Sequence, residues 1–138
     1  GNLLVGNSLS ARGAFSVDGR GGPGVLEDNT FLYNGDIGGY SGRGSGNTAR
    51  RNLWLGQSFL ARSHGAAVHK VSSVDGAGFV CEGNWFLGPS LSASIRFEDG
   101  ADEGGAEQRA VIRNNVFLGH EPLLVAGGSG GPVFEHNT

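Results

Sequence analysis

The sequence predicts an all-β fold: a right-handed parallel β-helix, a solenoid of about five coils with three short strands each. Three observations carry this prediction. A short apolar–polar–amide motif recurs along the whole chain, 27 of the 138 residues are glycine, and turn residues interrupt every window long enough to hold a helix. Average glycine usage is roughly 7%, so this backbone needs many turns or close approaches. Apolar residues still make up 38% of the chain and recur in step, which argues against disorder.

Six segments align without gaps: LLVGNSL (3–9), VLEDNTF (25–31), LWLGQSF (53–59), VCEGNWF (80–86), VIRNNVF (111–117) and VFEHNT (133–138). Their second position is Leu4, Leu26, Trp54, Cys81, Ile112 or Phe134, always apolar. The third is Val5, Glu27, Leu55, Glu82, Arg113 or Glu135, mostly charged. This alternation is that of a strand with one buried face. Two residues past the amide a second apolar column follows, Leu9, Phe31, Phe59, Phe86 and Phe117. About ten residues past the amide comes a third, Val17, Tyr40, Val68, Ile95 and Val125. Three columns imply three strands per coil, stacked about 4.8 Å apart, so that neighbouring coils bury faces that one coil cannot bury alone.

The fifth position of the motif holds Asn7, Asn29, Gln57, Asn84, Asn115 and Asn137. An amide at a bend can bond its equivalent in the coils above and below and satisfy buried backbone groups. The column is therefore expected to be a structural ladder. A single domain over residues 1–138 follows. Because the repeat begins by residue 3 and stops within a motif, the chain is expected to be a segment of a larger β-helix, or to self-associate end to end through uncapped coils.

Composition narrows the function. The net charge is −3 and charged residues make up 17%, with no polybasic run, so a nucleic-acid partner is not expected. No apolar run is long enough for a membrane span. Cys81 is the only cysteine, so no internal disulfide forms; its place in an apolar column marks it as a buried, inert thiol.

The column pattern resembles the right-handed parallel β-helix superfamily of pectate-lyase-like proteins over essentially the whole chain. That resemblance implies the fold and leaves activity open, since the scaffold carries lyases, hydrolases, tailspikes and adhesins. The stretches HKVSS (69–73), GNWFLG (83–88) and SIRF (94–97) faintly resemble the alginate lyase and chondroitinase B group. The resemblance implies Lys70 as the base and Arg96, one coil on, as the cation that neutralises a uronate carboxylate. Abstracting a proton α to a carboxylate needs both roles.

Polysaccharide is thus the expected partner and the extracellular space or cell surface the expected location. His69, Trp85, Arg43 and Tyr40 are candidate substrate contacts. Glu98–Glu107 carries five carboxylates spaced by glycine; Asp99, Asp102 and Glu103 could wrap Ca²⁺, or the segment is a solvated acidic link. The alternative to a lyase is a non-catalytic structural or adhesive segment of a fibre, tailspike or filament.

Overall fold

A computed structural model of the chain describes residues 1–6, 15–18, 23–34, 37–43, 46–56, 66–70, 78–88, 93–98, 109–119, 121–126 and 132–138. Among these residues every regular element is a strand. The first set is β1 (Leu3–Val5), β2 (Phe15–Asp18) and β3 (Val25–Glu27). The second is β4 (Thr30–Leu32), β5 (Ile37–Arg43) and β6 (Thr48–Arg50), and the third β7 (Leu53–Leu55), β8 (Ala66–Lys70) and β9 (Val80–Glu82). The fourth is β10 (Trp85–Leu87), β11 (Ala93–Glu98) and β12 (Val111–Arg113). The last is β13 (Val116–Leu118), β14 (Glu121–Ala126) and β15 (Val133–Glu135).

Each strand pairs in parallel with the strand three places on, giving three five-stranded sheets. Sheet A is β1-β4-β7-β10-β13, sheet B β2-β5-β8-β11-β14 and sheet C β3-β6-β9-β12-β15. All ten strands of A and C are three residues long, shorter than a typical strand of about five or six. Such triplets gain stability from their neighbours rather than from their own length.

A single residue with left-handed backbone separates each sheet C triplet from the ladder asparagine that opens the next sheet A triplet. Asp28, Arg51, Gly83, Asn114 and His136 hold φ between 50° and 62° at this bend. Left-handed backbone is costly for side-chain-bearing residues, so tertiary pairing must hold it in place. The asparagines supply that pairing.

The amide ladder runs Asn2, Asn29, Asn52, Asn84, Asn115, Asn137. At each step both the backbone N–H and Nδ2 of one asparagine donate to Oδ1 of the next; for Asn84 to Asn115 both distances are 2.9 Å. The second hydrogen of Nδ2 goes to a main-chain carbonyl one repeat back, such as Asn52 to Leu26 at 2.9 Å and Asn84 to Ala49 at 2.9 Å. Asn52, Asn84 and Asn115 are all but fully buried, so bonding that saturates the amide removes the penalty of burying it.

The interior columns lie beside this ladder. Sheet A contributes Leu4, Phe31, Trp54, Phe86 and Phe117 in register. The rings stack: Phe31 on Trp54 at 5.3 Å between centroids, Trp54 on Phe86 at 4.7 Å, and Phe86 on Phe117 at 4.9 Å, all within 8° of parallel. Sheet C contributes Leu26, Ala49, Cys81, Ile112 and Phe134. Full burial of a large apolar side chain stabilises by about 1.5–3 kcal/mol, so these columns and the amides beside them hold the sheets together.

Two copies of the repeat sit one strand later than the sequence alignment places them. Leu3–Val5 pairs with Thr30–Leu32, and Leu53–Leu55 with Trp85–Leu87; the alignment matches them instead to Val25–Glu27 and Val80–Glu82. Asn52 fills the rung between Asn29 and Asn84, and Asn2 the rung before Asn29. Asn7 and Gln57, expected as ladder members, lie outside the described residues. The shift arises because each repeat bends twice in similar language. The sheet A triplets also end in a left-handed residue (Gly6, Tyr33, Gly56, Gly88, Gly119), and in the sequence an amide follows the first three of these. LLVGN and LWLGQ therefore read like VLEDN.

The third column also shifts at its ends. Tyr40, Val68 and Ile95 share one row as expected, but Phe15 and Leu123 complete it, whereas Val17 pairs with Gly42 and Val125 with Phe97.

Candidate functional site

Among the described residues of sheets A and C, with the interior occupied by apolar columns and amides, the chemistry available to a partner lies on the outward positions of each triplet. These differ sharply between sheets A and C.

On sheet C the third position of each triplet reads Glu27, Arg50, Glu82, Arg113, Glu135, all in register. The charge alternates at every step. Arg50 Nε lies 2.6 Å from Glu27 Oε2, and Arg113 Nη2 3.0 Å from Glu82 Oε2. At the bend beyond, Arg51 donates from Nε and Nη2 to the two oxygens of Asp28, each at 2.8 Å, and from Nη2 to Glu27 at 3.0 Å. The Arg50 hydrogen bond holds the Glu27 carboxyl below the usual range, and the Arg51 hydrogen bond does the same for Asp28. The same pairing raises the Arg51 guanidinium above its ordinary value. These groups are exposed, so solvent screens them; they set register more than they add stability.

The sequence alignment hid this row. It placed Leu55 where Arg50 belongs, which breaks the alternation; the charges at Glu27, Glu82, Arg113 and Glu135 were the visible signal.

Sheet A presents the opposite surface. Its first outward row is Leu3, Thr30, Leu53, Trp85 and Val116; its second is Val5, Leu32, Leu55, Leu87 and Leu118. No charged residue occurs at these positions. Trp85 is 52% exposed in the middle of the sheet.

One long side of this strip is the ionic bend of Asp28 and Arg51. The other is the second bend, where Tyr33 is 55% exposed. A Cβ on Gly56 would sit 2.7 Å from the Tyr33 ring, so only glycine lets that ring lie across the corner. Beyond Gly56, Gly88 and Gly119 continue the same row.

No family model, curated protein or solved structure matches this chain.

The expected catalytic pair falls on sheet B. The backbone register sets Arg96 level with His69 and Lys70 level with Phe97. The two cations are on neighbouring strands, in adjacent rows rather than one. Tyr40 pairs with Phe15 and Val68, and Arg43 with Asp18 at the end of β5. Asp99, Asp102 and Glu103 lie outside the described residues. Among the described residues no set of three His, Cys, Asp or Glu side chains stands together to hold a metal ion, and no helix is long and apolar enough to cross a membrane.

Cys81 is fully buried, and loss of solvation pushes its thiol far above the ordinary range; a hydrogen bond from Asn84 Nδ2 at 3.2 Å offsets this only in part. A thiolate nucleophile is not available there.

The links between sheets B and C are long at 71–79 and 99–110 but short at 44–47, and the links from sheet A to sheet B are long at 6–14 and 56–65. The longer links therefore fall at two corners of the repeat.

Proposed function

We propose that this chain is a right-handed parallel β-helix, a solenoid segment of a secreted or surface protein, and that it binds polysaccharide. The observation that carries the binding half is Trp85: a large ring, half exposed in the middle of a flat sheet, offers a sugar ring an apolar face to stack on. The regular parallel register of all three sheets and the saturated amide ladder support the β-helix half.

A lyase would add chemistry on sheet B. The neutral Lys70 amine would take the proton α to a uronate carboxylate, the freed electron pair would form the new double bond, and the glycosidic oxygen would leave and be reprotonated as a hydroxyl. Arg96 would hold the carboxylate while its charge delocalises. Lys70 and Arg96 lie on adjacent strands, one row apart. Their different rows favour the second reading, a non-catalytic adhesive or structural β-helix that holds polysaccharide without cutting it.

The test is a screen of the purified chain against alginate, pectate, glycosaminoglycans and neutral glycans, scoring retention and unsaturated-product absorbance with and without Ca²⁺. Retention without product supports binding alone. Product that disappears with Lys70→Ala and Arg96→Ala in a folded protein establishes the lyase. A folded chain that retains no polysaccharide overturns the proposal.

A further inference from the structure

We infer that the outward strip of sheet A takes a neutral polysaccharide chain, with Trp85 and Tyr33 as its ring-stacking contacts. This rests on the binding reading above and narrows it to a substrate class and a face.

Charge decides the class. Uronates and sulfated glycans need cations to offset their loss of solvation, and none of the ten outward positions of sheet A carries one. Among the described residues, the guanidinium at the bend beside the strip, Arg51, is already committed to both oxygens of Asp28 and to Glu27. A charged chain laid on the strip would give up hydration for nothing. A neutral sugar has an apolar ring face that suits leucine and tryptophan, and hydroxyls that remain in water at its edges.

Shape decides between a glycan and a second copy of this protein. Three residues at about 3.3 Å each make the strip about 10 Å wide, and five strands at about 4.8 Å make it about 24 Å long. The projected area of roughly 240 Å² falls well short of the roughly 800 Å² that each partner contributes to a standard protein interface. The width is fixed by the two bends. It suits one polymer chain running along the stack of strands. Half-buried Leu53 and Leu55 lie on the neighbouring strand beside Trp85, with half-buried Leu87 in its own, so the ring stands over a continuous apolar floor. Tyr33, lying against Gly56, marks the glycine-lined edge two strands away.

The experiment is affinity electrophoresis of the chain through gels containing a neutral glucan, mannan or xylan, or alginate or pectate, with sedimentation of the free protein alongside. The expected result is retardation by a neutral polysaccharide, weakened roughly tenfold by Trp85→Ala, weakened less by Tyr33→Ala, and largely restored in Trp85→Phe. Neutral retardation unchanged in Trp85→Ala overturns the inference. So does retardation by acidic polysaccharides alone, which leaves the broader binding reading standing. A stable dimer broken by Trp85→Ala would assign the strip to a second copy. No retardation in any gel would overturn both readings together. Melting curves of each variant confirm that the comparison is between folded proteins.

Discussion

Sheets A and C share one interior and nearly the same strand length, yet they turn opposite surfaces to solvent. Sheet C carries a row in which glutamate and arginine alternate from Glu27 to Glu135. Sheet A carries only leucine, valine, threonine and tryptophan. Parallel strands of three residues need their register pinned, because a slip by one residue turns the buried set outward. The asparagines pin it from inside for both sheets. Of the two, only sheet C also pins it from outside, through ion pairs that would be lost if the strands slipped. Sheet A has no such ion pairs on its outward positions, and its leucines and Trp85 form an apolar face. On the proposed reading, the difference separates a face built for order from a face that takes a glycan.

The largest effect should come from the interior that both sheets share. Asn84→Ala removes the Asn84 amide from the Ala49 carbonyl and from the Asn52 donors, and leaves Asn115 Oδ1 with the backbone N–H of residue 84 but without the Nδ2 bond. Buried groups left unsatisfied cost about 1–3 kcal/mol each, so a loss of about 3 kcal/mol or more is expected in urea unfolding, with sheets A and C failing together. Unfolding in two separate steps would show that the sheets do not share one core.

Of sheets A and C, acid should act on sheet C. The Glu27 and Asp28 carboxyls are held below their ordinary range in the folded chain. Their contribution is therefore present above the unfolded carboxylate value, roughly pH 4, and is lost as pH falls through the lowered folded value. Melting temperature should drop over that range, and high salt should flatten the drop. Arg51→Gln should remove the Asp28 share of this dependence and leave most of the Glu27 share, which Arg50 holds. Glycan binding on sheet A should not follow it.

A smaller effect is expected from Arg113→Glu, which sets like charges at three successive rungs, Glu82, position 113 and Glu135. Like charges directly opposite destabilise a sheet, by a few degrees of melting temperature at low salt. Exchanging the pair, Glu82→Arg with Arg113→Glu, should restore the Arg–Glu contact but meet Arg50 on the other side. Only partial recovery is predicted, and full recovery would show that the row acts pair by pair rather than as an alternating series.

Much of the interior was legible in the sequence. Phe31, Phe86 and Phe117 formed a column in the alignment and do so in space, and Asn29, Asn84, Asn115 and Asn137 were read as rungs. Period-two alternation and amide spacing depend only on local chemistry, so they survive in one dimension. What failed was the choice between two similar bends in each repeat. Leu3–Val5 and Leu53–Leu55 end in glycine and an amide, as a sheet C triplet ends before its asparagine, and nothing local separates the two cases. The register of neighbouring strands decides it.

That single slip moved Trp54 to the wrong column and hid Arg50 from the charged row. It also obscured sheet A as a strip, because two of its five triplets were assigned elsewhere. Trp85 was recognised as a candidate sugar contact from its place after the ladder asparagine. Its leucine surroundings were not, since they come from strands far apart in sequence. Lys70 and Arg96 were placed one strand apart, as they are, but the one-row offset between them depends on pairing that no spacing encodes.

The most direct measurement of the account is iodide quenching of tryptophan fluorescence during titration with a neutral polysaccharide. The chain has two tryptophans: Trp54 is fully buried and serves as the unquenched reference, whereas Trp85 is 52% exposed. The account predicts that a neutral glycan protects the quenchable component, that alginate or pectate does not, and that Trp85→Phe abolishes the signal. A neutral glycan that binds while Trp85 remains as open to iodide as before would contradict it.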